Sequence, residues 1–135
     1  DIIGLTVWLI GFLFEVVGDK QLASFLSNPL NKGKIMDRGL WSLTRHPNYF
    51  GEVTMWWGIW LISVASFAPW WSIIGPLTIT ILITKVSGIP MTEKRYVGNT
   101  MYDEYKKNVS ALVPLHYGKK LFGNYKKYYQ TNNEI

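Results

Sequence analysis

Apolar residues gather in three long stretches, separated and followed by polar ones. The first is Ile2–Val17, IIGLTVWLIGFLFEVV, interrupted only by Glu15. The second is Phe50–Phe67, interrupted only by Glu52, and the third is Trp70–Thr84, which closes at Lys85. A bilayer-spanning helix needs about 20 apolar residues, in a range of roughly 17–25. Each stretch lies at or just under that length and extends once flanking Trp, Tyr and Gly are counted. A helix half-exposed to water carries a polar face opposite its apolar stripe, and positions 55–68 and 70–83 have none. The pattern therefore predicts three transmembrane helices rather than the buried helices of a soluble core. Ala68 and Pro69 form the turn of a helical hairpin, and Pro76 is expected to bend the third helix. After Pro90 the chain becomes amphipathic. Thr100 and Asp103 read as a capping box opening a short helix with Tyr102, Tyr105 and Val109 on one face. The fold class is thus all-α: a polytopic membrane helix bundle of three transmembrane helices and a cytosolic amphipathic C-terminal segment.

Charge orients the bundle. Of 14 Lys and Arg, five (Lys20, Lys32, Lys34, Arg38, Arg45) lie between the first and second stretches. Eight lie after the third: Lys94, Arg95, Lys106, Lys107, Lys119, Lys120, Lys126 and Lys127. The connection 67–71 has none. Basic residues stay on the cytoplasmic side, so 18–49 and 86–135 share the cytosol. The membrane would be the endoplasmic reticulum in a eukaryote or the inner membrane in a bacterium. Charged residues are 17% of the chain, against about a quarter in soluble domains, a deficit confined to the three stretches. A soluble nucleic-acid module is thereby disfavoured despite the net charge of +5, and no nucleic acid is expected as partner. The absence of cysteine excludes disulfides, thiolate metal sites and cysteine nucleophiles. A secretory signal fits poorly, because no basic region precedes the first stretch and Glu15 lies inside it. The 135 residues allow one domain. It divides into a membrane part over 1–115 and a basic, aromatic tail over 116–135, which suits an anionic leaflet, an RNA or plain solvation equally. The opening at Asp1 without Met predicts a processed product or a piece of a longer protein.

Polar residues at the ends of the apolar stretches carry the candidate chemistry. Glu15 and Asp19 are four apart on one helical face, at a C-terminus whose dipole disfavours anions. They either pair with Arg38 or Arg45 or accept hydrogen bonds from a ligand's hydroxyl or amide groups. Pro47 fits the first turn of the second helix, with Arg45 or His46 at its cap. That arrangement makes an anion site at a helix start, suited to phosphate, carboxylate or a lipid headgroup. Asn48, Tyr49 and Glu52 follow on the wall below, and Gly51 lets a ligand or a second helix approach the backbone. A third cluster, Glu93-Lys94-Arg95-Tyr96 with Tyr102 and Tyr105, lies on the same membrane face. Three polar clusters on one face describe a cofactor pocket open to the cytosol. No dinucleotide-binding glycine fingerprint, phosphate-binding P-loop or metal-ligand constellation is present.

The sequence Phe14-Glu15-Val16-Val17-Gly18-Asp19, then Asp37-Arg38-Gly39-Leu40-Trp41, then Arg45-His46-Pro47-Asn48-Tyr49-Phe50-Gly51-Glu52, then Ser87-Gly88-Ile89-Pro90 with Glu93-Lys94-Arg95, and Ser110-Ala111-Leu112-Val113-Pro114 resembles the C-terminal domain of the steroid 5-alpha-reductase family. A shorter version of the Arg-His-Pro segment is shared with sterol reductases and isoprenylcysteine carboxyl methyltransferases. The resemblance implies a multi-helix membrane reductase that uses NADPH to reduce a carbon–carbon double bond of a lipophilic, steroid- or enoyl-like substrate. By position it implies that Asn48 and Glu52 hold the nicotinamide end, that Glu15, Asp19, Trp41 and Tyr49 contact the cofactor, and that Arg45 neutralises phosphate beside His46. The segment Glu93 to Tyr105 would close over the nucleotide. Glu15 replaces an amide of the family, and Thr92 stands near a family His. The family's substrate-polarising acid and tyrosine come from N-terminal helices that this chain lacks, which implies that helices of the same longer protein complete the substrate pocket. The catalytic residues are therefore not assigned, and no metal is expected. The alternative is an S-adenosylmethionine-dependent methyltransferase of the isoprenylcysteine type, against which Glu52 stands where those enzymes tend to have Trp. A non-catalytic membrane interaction protein is a third reading.

Overall fold

A computed structural model describes residues 2–116. The tail expected beyond His116 lies outside the described residues. The described chain is all-helical and without strands. Five α-helices follow in order: α1 (Ile2–Ser27), α2 (Pro47–Ala65), α3 (Ile74–Ile81), α4 (Gly88–Glu93) and α5 (Thr100–Asn108). Short 3-10 turns at Pro29–Asn31, Gly39–Ser42, Trp70–Ile73 and Lys94–Tyr96 join them, and a π-helical turn at Leu82–Val86 links α3 to α4.

The pairing of α1 with α2 is built on glycine. The buried residues of α1 are Gly4, Gly11 and Gly18, one every seven positions and hence on one stripe. They meet Gly58, Gly51 and Pro47 in that order, so the two helices run antiparallel. A Cβ added at Gly11 would lie 2.6 Å from the Gly51 carbonyl oxygen and 2.6 Å from the Met55 nitrogen. One added at Gly51 would lie 2.5 Å from the Glu15 nitrogen. The backbones therefore touch directly, as small residues allow in apolar surroundings where burial of side chains cannot drive association. Gly51 serves the helix contact among the two uses its position suggests.

The remaining faces of α1 are apolar and exposed, among them Leu5, Leu9, Phe12, Leu13 and Val16. Water would penalise such a surface, whereas hydrocarbon would not. Hydroxyls inside the apolar helices return to their own backbone: Thr6 to Ile2, Thr78 to Ile74, Thr80 to Pro76 and Thr84 to Thr80, each at 2.7 Å. Trp57 Nε1 donates to Thr80 Oγ1 at 3.2 Å and ties α2 to α3.

Two helical segments are long and apolar enough to cross a membrane: Ile2–Ser27, with 26 residues, and Trp70–Tyr96, with 27. The first spans about 39 Å at 1.5 Å per residue, more than the ~30 Å hydrocarbon core. The expected third span, on α2, does not qualify. Asn48, Glu52, Trp56, Trp57 and Trp60 dilute the apolar character of its 19 residues.

Two local expectations change. Pro76 does not bend its helix, because it sits in the first turn of α3, where its missing N–H costs little. The irregularity falls instead at Leu82–Val86, where Ser87 N donates to Leu82 O at 2.8 Å. The cap of α5 is Asn99 rather than Thr100. Asn99 Oδ1 accepts from the backbone nitrogens of Met101 at 3.0 Å and Tyr102 at 3.2 Å. Ile35, Tyr102, Tyr105 and Val109 form a buried cluster with Tyr96 and Met101 packed on it, so the expected tyrosine face of α5 is the one that packs.

Replacing Gly11 or Gly51 by Leu should break the α1–α2 crossing and lower the melting temperature of the detergent-solubilised protein. A cost of about 1–3 kcal/mol or more is expected for overpacking against backbone. Gly75→Ala, where a Cβ meets nothing within 4 Å, should leave the melting temperature unchanged or raise it.

Candidate functional site

Polar side chains converge where α1 ends and α2 begins. His46 is the N-cap residue of α2 and Pro47 its first residue, as the sequence predicts. The His46 ring makes no capping bond and turns to Glu93, with Nε2 3.1 Å from Oε1. Thr44, fully buried, takes up the local backbone: its Oγ1 accepts from His46 N at 3.2 Å and donates to Ala111 O at 3.2 Å. Arg45 N donates to Ser110 O at 2.9 Å, so the segment after α5 lies alongside the start of α2.

Glu93 is the hub. Arg45 Nε donates to its Oε1 at 2.9 Å, Tyr102 Oη donates to the same oxygen at 3.2 Å, and Lys106 Nζ stands 3.5 Å from Oε2. The side chains of Arg45 and Glu93 are 9% and 13% exposed, so the pair is screened little. Arg45 Nη1 is spent inward on the carbonyls of Lys106, at 3.2 Å, and Val109, at 3.1 Å. Burial, then the neighbouring Glu93 carboxylate, push the Tyr102 phenol up, which keeps it a proton donor toward Glu93. Tyr49 stacks on His46 with centroids 5.4 Å apart and hydrogen-bonds Thr92 Oγ1 at 2.9 Å.

Beside this network lies a cavity of about 90 Å³. Arg45, His46 and Thr92 form its polar end, and Leu22, Phe25, Ile35 and Trp41 are among its apolar walls. Tyr105 closes the back, its hydroxyl donating to the Trp41 carbonyl, while Trp41 Nε1 donates to Gly18 O at 3.0 Å. Gln21 Oε1 accepts from Leu40 N at 3.0 Å and holds the loop against α1.

The sequence-derived candidates fall into two groups. Trp41, Arg45, His46, Tyr49, Glu93 and Tyr105 surround or support the cavity. Glu15 and Glu52 stand within electrostatic reach of each other, with Asp19 one turn further along α1. Glu15 Oε2 is buried without a hydrogen-bond partner among the described residues. Asn48 lies against Gly18, and its Oδ1 accepts from Tyr49 N at 3.0 Å. Arg45 pairs with Glu93, and no ion pair joins Glu15 or Asp19 to Arg38 or Arg45 among the described residues. An open groove of about 370 Å³ on the outer side of α1 carries Lys20 and Arg38 on its lining. Tyr102, Thr92 and Lys106 were not among the candidates. Only the shared face of Tyr102 with Tyr105 signalled the first of them.

The family described as "Protein of unknown function (DUF1295)" matches residues 1–109, from the first glycine of the α1 stripe through the last residue of the buried cluster. The chain belongs to this family. DUF1295 includes steroid 5-alpha-reductase-like proteins. A segment of 46 residues is 44% identical to a protein named "Probable O-methyltransferase ustE" from Ustilaginoidea virens, over 34% of this chain and 16% of that protein. The chain thus spans a small part of that relative's length. No solved structure matches this DUF1295 chain.

Arg45→Ala should destabilise the protein by about 3–5 kcal/mol, because it leaves Glu93 short of its main counter-ion in a mostly buried site. Lys107→Ala removes the exposed pair with Glu104, at 3.2 Å, and should cost under about 1 kcal/mol. Denaturant or thermal unfolding of the two variants side by side measures both.

Proposed function

We propose that this chain is the cofactor-holding part of a multi-pass membrane enzyme that reduces a carbon–carbon double bond of a lipophilic substrate with NADPH. The observation that carries the reading is the buried, unpartnered Glu15 Oε2 beside Glu52 at the closest part of the α1–α2 crossing. A buried acceptor without a donor is costly. A nicotinamide carboxamide or ribose hydroxyls would supply the missing donors. The resemblance of the Arg-His-Pro-Asn-Tyr-Phe-Gly-Glu segment to steroid 5-alpha-reductases supports the same assignment, as does the composition of the DUF1295 family.

Bound NADPH supplies a hydride. The chain's own residues would hold and orient it. Glu15, Glu52 and Asn48 offer acceptors and an amide at the α1–α2 junction. Lys20 and Arg38, on the groove along α1, offer charge to phosphates. Arg45, whose Nε and Nη1 are committed to Glu93 and to backbone carbonyls, positions the segment around Glu93 rather than neutralising phosphate directly. The exposed apolar faces of α1 and of the Trp70–Tyr96 segment place the site at a membrane surface, where a lipophilic substrate partitions. The identity of that lipid and the host membrane are not encoded in these residues.

A second reading is a methyltransferase using S-adenosylmethionine, favoured by the 46-residue likeness to a probable O-methyltransferase. The same unpartnered carboxylate would then meet the cofactor's ammonium group.

NADPH should raise the melting temperature of the full-length, detergent-solubilised protein, since a ligand bound only by the folded state stabilises it. S-adenosylmethionine should not. Glu52→Gln and Glu15→Gln should weaken the NADPH shift at least about tenfold in concentration, in keeping with loss of a hydrogen bond to a charged group. A shift with S-adenosylmethionine alone transfers the assignment to the second reading, and a shift with neither cofactor removes both.

A further inference from the structure

Four donors on four different parts of the chain converge on one carboxylate. Arg45, ahead of α2, and His46, its cap, approach Glu93 Oε1 at 2.9 and 3.1 Å. Tyr102 on α5 donates to the same oxygen at 3.2 Å, and Lys106, one turn later, reaches the other at 3.5 Å. The sequence places an anion site at Arg45-His46, and the folded chain brings its own anion to it from 48 residues away. The Arg45 and His46 side chains are 9% and 3% exposed, so no solvent layer separates them from that carboxylate.

The consequence falls on the adjoining cavity. Its polar end is formed by Arg45 and His46, the groups that would draw a phosphate or carboxylate inside. Both already face Glu93. A second anion entering there would meet a fixed like charge at short range in a largely desolvated site, and would lose its hydration without a free cation to replace it. The remaining cation on the lining, Lys34, lies on an exposed loop position where water screens it. The walls are apolar and aromatic, and about 90 Å³ holds about five non-hydrogen atoms, given that a 150 Å³ cavity takes benzene.

We propose that Glu93 is a specificity determinant: it reserves Arg45 and His46, so that the cavity admits a small uncharged polar group of a ligand and turns away an anionic one. Glu93 acts this way whichever cofactor the chain binds.

Propanamide and propanoate are near-isosteric, fit the volume and differ in charge. Saturation-transfer NMR on the full-length protein in detergent, with empty micelles as background, should show propanamide binding and a preference over propanoate of about tenfold or more. Glu93→Gln keeps the shape and an acceptor but removes the charge, and should bring propanoate to at least parity. Propanoate binding the wild type as well as propanamide does, or neither probe binding it, overturns the proposal without recourse to a variant. A wild-type preference for the amide that survives unchanged in Glu93→Gln overturns it as well. Should Glu93→Gln fail to fold, Glu93→Ser carries the same comparison, and the wild-type pair of probes remains decisive.

Discussion

The direct approach of two backbones, α1 against α2, is the constraint on which the rest of the structure depends. Gly4, Gly11 and Gly18 face Gly58, Gly51 and Pro47 with no side chain between them. Dispersion contacts of this kind are individually weak, but they are dense when nothing holds the helices apart. Because α1 buries little besides its glycines, its other faces are free to be apolar throughout. The same closeness sets Glu15 beside Glu52 and seats Trp41 against the Gly18 carbonyl. The polar end of the molecule is thus registered by contacts made inside its apolar part.

A division of labour follows. The long helices pair by shape. The loop before α2 and the segment from α4 onward are held by polar bonds and by the Tyr102–Tyr105–Val109 cluster. Arg45 is central to the second system, since its guanidinium joins Glu93 to the end of α5 and its backbone nitrogen joins Ser110. Buried ion pairs add little net stability but fix geometry, because each partner is costly to leave alone. Here the geometry fixed is that of the cavity wall.

Local features of the sequence were legible and distant pairings were not. The apolar stretches mark α1, α2 and the Trp70–Tyr96 segment. His46-Pro47 marks the start of α2, and the spacing of Tyr102, Tyr105 and Val109 marks the buried face of α5. These depend on nearest neighbours and helical periodicity. The membrane character of α2 was overread, because its two charged or amide residues and its tryptophans were counted as flanks rather than against the span. The cap at Asn99 was missed by one position, since Thr100 is also a good capping residue and only the extended backbone of Asn99 decides between them. The glycine stripe at sevenfold spacing was written in the chain, yet its partner stripe lies some forty residues on. Glu93 could be seen as one of a polar cluster. That it would face Arg45 and His46, rather than a ligand, depends on a path through α3 that no local pattern encodes.

That path contains one more residue per turn than an ordinary helix. The five-residue π turn at Leu82–Val86 inserts a single extra position between α3 and α4. In a regular helix each residue advances the direction of its side chain by about 100°. The inserted position therefore rotates everything downstream by that angle, and with it the azimuth at which Glu93 leaves the helix. Gly88 is fitted to the same turn, since a Cβ there would lie 2.7 Å from the Ile83 carbonyl oxygen. The aim of the carboxylate is thus set by counting residues, two turns before it, in a stretch that carries no polar chemistry toward the site itself.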